Sequence, residues 1–217
     1  MRRVLLVVVA LIVLLVGADF ATRAVAATEL RDRARQRVQG ARDSSASVGT
    51  FPFLARLLVA GSIARVHVKV KPVATTRITF DFVDIDLRDV HVDRNRVLRD
   101  RSVQLTGLGS GTVTAEVSQE EISRLAHVTV TFSRGRAAVT IGGLQASAPV
   151  GVTRGQLTIG AGRAALHVTI PRGPLMACDA TSVVVRQGVL DLSCTIHDVP
   201  PELLRTAQTA SSASMTS

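Results

Sequence analysis

The chain has no tryptophan and no tyrosine, and its six phenylalanines leave an aromatic content of 3%. That scarcity argues against a reader of single-stranded nucleic acid, which stacks bases on aromatic platforms. Lysine is nearly as rare: of 26 basic residues only Lys69 and Lys71 are lysines. The two cysteines come without a C-x-x-C pair or a histidine at tight ligand spacing, so neither a metal nor another cofactor is expected. No G-x-S-x-G nucleophile motif is present and the five histidines are scattered. The glycine-rich stretch Gly107–Gly111 lacks the lysine and the following helix of a phosphate loop. Asp84 and Asp86 share one face of a strand, with Asp81, Asp89, His91 and Asp93 nearby, and paired carboxylates can serve acid–base chemistry or hold a cation. Their alternation with Ile85, Leu87, Val90 and Val92 is explained by an exposed polar strand face, and no enzyme is expected.

What the chain does hold is aliphatic. Hydrophobic residues make up 47% of 217 residues, nearly all Val, Leu, Ile and Ala, enough for one main domain with a sizeable core. A formal net charge of +9 gives a positive field that can serve nucleic acid, anionic lipid or nothing specific, and with so few aromatics no nucleic-acid partner is expected. Met1-Arg2-Arg3 precedes an uncharged apolar run from Val4 to Ala18. A secretory apolar segment takes about 7 to 15 residues and a membrane span about 20, so the run fits export better than crossing. Ala24-Val25-Ala26 offers a cleavage site, yet helical spacing continues past it, and residues 1–26 stand as a signal peptide or an N-terminal membrane anchor. Cys178 and Cys194 flank an expected hairpin; a disulfide in an oxidising envelope compartment and two unlinked buried thiols both remain open.

Beyond residue 26 the hydrophobic period divides the chain. Ala27 to Gly40 reads as a charged helix, residues 41–50 as a polar linker, and Phe51 to Ala60 as a short helix with Pro52 in its first turn and Gly61 as its stop. From Ala64 the period becomes two: Val66, Val68 and Val70 face one way, Arg65, His67, Lys69 and Lys71 the other. Phase slips between Phe82, Val83 and Val90 predict β-bulges. Further strands are expected at 103–108, 112–117, 128–132, 137–141, 150–159, 165–170, 181–186 and 189–196. Ser118 and Glu121 form the capping box of an intervening helix. Residues 205–217 have the composition of a disordered tail.

Phe51-Pro52-Phe53-Leu54, then Leu57-Leu58-Val59-Ala60-Gly61, then "ARVHVKV", "VDIDLRDVHV" and "GTVTAEVSQEEI", and lastly Cys178 and Cys194 with "VPPELL", occur in that order. As an ensemble over about Ala27 to Leu204 this resembles the actinobacterial LmeA-like phospholipid-binding proteins. The resemblance implies an α+β fold in which one long curved antiparallel sheet wraps around short helices as a tubular lipid-binding half-barrel, in a domain spanning 27–204. It also implies an exported cell-envelope protein that holds phospholipid in an apolar cleft. Some members are linked to phosphatidylinositol mannosides and lipomannan elongation, so an anionic, phosphatidylinositol-type lipid and a role in lipid transfer or lipoglycan assembly come with it.

An acyl-chain site needs a concave apolar lining with few polar groups. Phe51, Phe53, Leu54, Leu57 and Leu58 are the candidates for a lip helix, with Val66, Val68, Phe80 and Phe82 behind it; equally they plug the end of the fold. Arg65, His67, Lys69 and Lys71 are the candidates for an anionic headgroup or membrane surface, against the plain alternative of a solvated strand face. Competing readings are an envelope scaffold that uses a sheet edge without lipid, and a hydrolase built on the aspartate cluster. The oligomeric state is not legible.

Overall fold

A computed structural model describes residues 16–28, 31–32, 43–49, 53–75, 77–100, 105–162, 165–170 and 178–197. Residues 16–28 are helical (α1), and no described helix is long and apolar enough to cross a membrane. The principal element is a six-stranded antiparallel sheet in the order β1-β2-β5-β6-β14-β13. Its strands are β1 (Asp43–Gly49), β2 (Ser62–Lys71), β5 (Phe82–Val92), β6 (Leu105–Ser118), β13 (Ser182–Val185) and β14 (Val189–Ile196).

The alternation read in β2 sets the two faces of this sheet. Val70 stands opposite Val83, Val83 opposite Ala115 and Ala115 opposite Leu192, a buried rung running across four strands. One residue along, Lys69, Asp84, Thr114 and Ser193 form a polar rung on the other face. Between the strands sit a ribbon of β3 (Val73–Ala74) and β4 (Thr79–Phe80), and helices α2 (Phe53–Ala60), α3 (Arg94–Asp100) and α4 (Gln119–Ala126). Residues 129–169 form two three-stranded meanders. The first holds β7 (Thr129–Ser133), β8 (Arg136–Ile141) and β9 (Leu144–Ala148); the second holds β10 (Val150–Thr153), β11 (Gln156–Ile159) and β12 (Leu166–Thr169).

The α+β class holds, but the single wrapped sheet does not. The described strands form four separate sheets, and none closes or curls into a half-barrel. The cause lies in the turns. Arg134-Gly135, Gly142-Gly143 and Arg154-Gly155 all adopt positive φ, and each folds the chain straight back on itself. Strands 129–169 therefore find their partners locally, and none of them pairs with the principal sheet. Val150 to Ile159, expected as one strand, is the hairpin of β10 and β11 for this reason. The meanders serve as a cover instead: Val130 and Phe132 of β7, Leu157 and Ile159 of β11, and Ile122 of α4 share one buried cluster with Val83, Ala115 and Leu192 of the principal sheet.

Other elements also depart from expectation. The stretch read as a polar linker is mostly edge strand β1, where Ser44 and Val48 turn inward and Asp43, Ser45 and Ser47 outward. The two strands expected at 103–108 and 112–117 are one continuous β6, and "GLGSG" lies within it. Glycine is required there by close approach: a Cβ on Gly111 would come within 2.8 Å of Leu87 Cδ2. The phase slip in β5 is real; Asp89 sits at φ 50 and the register shifts between His91 and Val92. Helix α4 begins as expected, with Ser118 Oγ accepting from the Glu121 N–H at 3.3 Å. The Glu121 carboxylate does not close the box. It reaches to β4, where Oε1 accepts from the Thr79 N–H at 2.7 Å. Two other side chains of α4 serve β7: Ser123 Oγ accepts from Val130 N–H at 2.9 Å and Gln119 Oε1 from Phe132 N–H at 3.2 Å. The disulfide is formed between Cys178 and Cys194, with Cα atoms 6.1 Å apart, and ties the approach to β13 onto β14. Most of the N-terminal apolar run, most of the charged helix and the tail 205–217 lie outside the described residues.

Candidate functional site

Helix α2 closes one end of the principal sheet. It stops at Gly61, whose φ of 59 only glycine adopts without strain, and the Gly61 N–H donates to Leu57 O at 3.1 Å. Gly61 O then accepts from Val92 N–H at 2.7 Å, and Arg94 Nη1 donates to Val59 O at 3.2 Å, so the helix end is fixed to the end of β5 and the start of α3. Asp93 caps α3 by accepting from the N–H groups of Asn95 and Arg96 at 2.9 and 3.3 Å.

This anchoring lays α2 over a second apolar cluster. Val66, Val90 and Val92 form its buried centre, with Leu57, Ile63, Leu87, Leu105 and Leu108 packed around them, and Val68 and Leu108 also touch the main core. The strand kink at Asp89 is what makes the cluster possible: it carries the apolar phase from Val83, Ile85 and Leu87 over to Val90 and Val92. Phe53 is buried and Leu57 half-buried, while Leu58 is 45% and Val59 76% exposed. The helix thus seals the cluster with one side and offers aliphatic side chains to the exterior with the other.

Of the residues singled out for acyl chains, Leu57, Val66 and Val68 come together in this cluster, while Phe53, buried, and Leu58, exposed, lie on α2 outside it. Phe80 is fully buried in the main core. Phe82 lies on the opposite face of the sheet, its ring 3.8 Å from Lys69 Nζ. Phe51 and the Leu54 side chain lie outside the described residues. Val90, Val92, Leu105 and Leu108 complete the cluster and were not singled out as site residues; the phase slip at Asp89 was the signal that could have found Val90 and Val92.

The basic stripe of β2 faces away from this cluster and pairs with β5. Arg65 forks onto Asp86, with Nε donating to both carboxylate oxygens at 3.0 and 3.1 Å. That hydrogen bond holds the Asp86 carboxyl below its ordinary range and raises the Arg65 guanidinium. His67 Nδ1 is 3.3 Å from Asp84 Oδ1, and Lys71 stands opposite Asp43 of β1 in the register. Further along the same face Arg186 bridges Glu116, at 3.3 Å, and Asp191. Burial, then Asp191, pushes the Glu116 carboxyl up; burial, then Glu120 and Glu121, does the same for Asp81. Of the aspartates that could suggest chemistry, Asp84 and Asp86 are thus engaged in cross-strand pairs and Asp93 in a cap. Among the described residues no group of three His, Cys, Asp or Glu side chains is placed to hold a metal ion.

A family profile described as LmeA-like phospholipid-binding matches residues 17–213, and the chain belongs to that family. It is a phospholipid-binding protein, and with the family comes association with the cell envelope. No curated protein and no solved structure matches the chain.

Proposed function

We propose, from membership of this phospholipid-binding family, that the lipid's acyl chains lodge at the α2 end of the principal sheet. The observation that carries the reading is an aliphatic cluster, Val66, Val90 and Val92, set beside the main core and roofed by a helix that leaves Leu58 and Val59 exposed. Each methylene buried there contributes about 0.8 kcal/mol, so a partly covered chain already binds usefully. The lining is entirely aliphatic, and aliphatic side chains accept hydrocarbon without fixing its position.

A net charge of +9 favours an anionic lipid, of which the phosphatidylinositol type is one. Arg65, His67, Lys69 and Lys71 point away from the apolar end, so their proposed contact is with an anionic membrane surface and not with the headgroup of the lodged lipid. The apolar run Val4–Ala18 directs the domain out of the cytoplasm, as a cleaved signal or a retained anchor, and the disulfide is in keeping with an oxidising compartment there. In that setting the protein carries lipid or supports lipoglycan assembly.

Organic extraction of the full chain purified from native membranes, followed by mass spectrometry, should recover phospholipid. Leu57→Asp should abolish that recovery. Leu58→Asp, at a side chain exposed enough to accept a charge without unfolding, should reduce it several-fold. A lipid-free preparation with a stoichiometric crosslinked protein partner would put the scaffold reading in its place.

A further inference from the structure

The first meander carries an apolar stripe that outruns the core. Ala137, Val139 and Ile141 share one face of β8; across from them stand Phe132 and Val130 on β7, and Ala148, Ala146 and Leu144 on β9. Burial fails steadily along the stripe. Ala137 is 1% exposed, Val139 is half-buried, and the last rung leaves Ile141 64% and Leu144 81% exposed. Those two residues form the cross-strand pair that closes the hairpin, joined only by Gly142 and Gly143 at φ 59 and 83. This is a two-residue turn of the kind that needs glycine at both positions.

We propose that this hairpin tip inserts into the interfacial layer of an anionic phospholipid bilayer. No charged residue lies between Arg136 and Arg154, and Arg136 stands at the far end of β8 from the turn, so nothing charged on the rest of β8, the turn or β9 has to be desolvated. At the tip β8 and β9 pair across the ladder up to Ile141 and Leu144, and insertion to the depth of this last rung leaves only the two-residue turn and the outer edge of β9 at Leu144 for the interfacial layer to satisfy. The end of α4 that leads into β7 lies at the same end of the meander, because Thr129 pairs with Thr140 next to Ile141. It brings an exposed His127 and an Arg124 that is ion-paired with Glu121 and donates to the carbonyl of Arg77, whose side chain is also exposed. The tip is therefore apolar with basic groups behind it, the order in which a bilayer presents acyl chains and then phosphates. Two side chains are far short of the roughly 1,000 Å² that a specific protein interface buries, but they suffice as a wedge between lipids. Moving each from water into hydrocarbon is worth about tenfold in partition at these exposures. The inference rests on phospholipid being the family's ligand, and not on where the acyl chains lodge.

The absence of tryptophan makes the test selective. Leu144→Trp creates the sole indole in the full chain, whose emission reports the tip whatever else holds the protein to the membrane. In vesicles of equal phosphatidylcholine and phosphatidylglycerol the emission should shift to the blue and be quenched by brominated acyl chains. Val184→Trp, at an exposed residue on the outer face of β13, should do neither. Adding Ile141→Asp to Leu144→Trp should weaken the quenching about tenfold in lipid titration. The proposal is overturned if Leu144→Trp keeps water-like emission in vesicles, if its emission is already blue and lipid leaves it unchanged, as burial under this chain or a second copy would give, or if Val184→Trp is quenched equally. Continued recovery of phospholipid alongside any of those results would leave the acyl-chain site standing and remove only the tip.

Discussion

Replacing Glu121 by alanine should loosen α4 from the β3–β4 ribbon. Its Oε1 accepts from Thr79 N–H at 2.7 Å and from Arg124 Nη2 at 2.6 Å, and its Oε2 accepts from Arg124 Nε at 2.9 Å. Hydrogen bonds to a charged group contribute about 1.5–3 kcal/mol each. The Arg124 side chain is 59% exposed, however, so its share falls toward the roughly 0.5 kcal/mol of a helix-surface pair. Together with the Thr79 bond, the loss comes to about 2 kcal/mol. For a chain of this size that is a fall in Tm of about 4–8 °C, readable by circular dichroism at neutral pH.

The same contacts set a pH signature. The Arg124 side chain first, and the Thr79 N–H after it, hold the Glu121 carboxyl below its ordinary range. A carboxyl depressed in the folded state adds stability above its unfolded value, lost as pH falls through the folded one. The gap between wild type and E121A should therefore be full at neutral pH and shrink below about pH 4. Asp81 and Glu116 run the other way: their raised carboxyls favour the fold in acid, and that contribution is lost as pH rises through their folded values. E121Q keeps an acceptor for Thr79 and should lose about half as much as E121A. A melt of E121A within about 1 °C of wild type, or a gap that persists unchanged into acid, would refute the reasoning.

Cys178→Ser with Cys194→Ser should lower stability by about 3 kcal/mol, the loop-closure value for a separation of 16 residues, read as a drop in the urea midpoint. Gly61→Ala places a Cβ 2.9 Å from Val92 O at φ 59, and should cost more than about 1 kcal/mol while reducing the phospholipid recovered, since the α2 end is misplaced. At Asp89, with φ 50, substitution by glycine should be neutral or stabilising in thermal unfolding, and substitution by valine should cost about 1–2 kcal/mol.

Much of the local structure was legible from residue order. The β2 alternation, the Ser118 cap of α4, the Gly61 stop and the slip at Asp89 each depend on residues within a turn or two of one another. Edge strand β1 was hidden because Ser and Ala carry its period: Ser44 and Ser45 look alike by hydropathy, yet one faces the core and the other solvent. The helix α3 and strand β9 were missed because they are short, and because the stripe of β9, Leu144, Ala146 and Ala148, is mostly alanine and gives a weak period.

What residue order determined by itself is the face each side chain takes: Val66 and Val68 to one side of β2, Arg65 and Lys69 to the other, Ile141 in step with Ala137. Only the tertiary structure decided which strands pair, so that β14 lies against β6 while 129–169 fold into separate meanders, and which apolar residues are left uncovered. The physical reason is range. Alternation follows from backbone geometry between neighbours, whereas pairing and burial are settled by which apolar faces, far apart in the chain, meet with the least surface left in water.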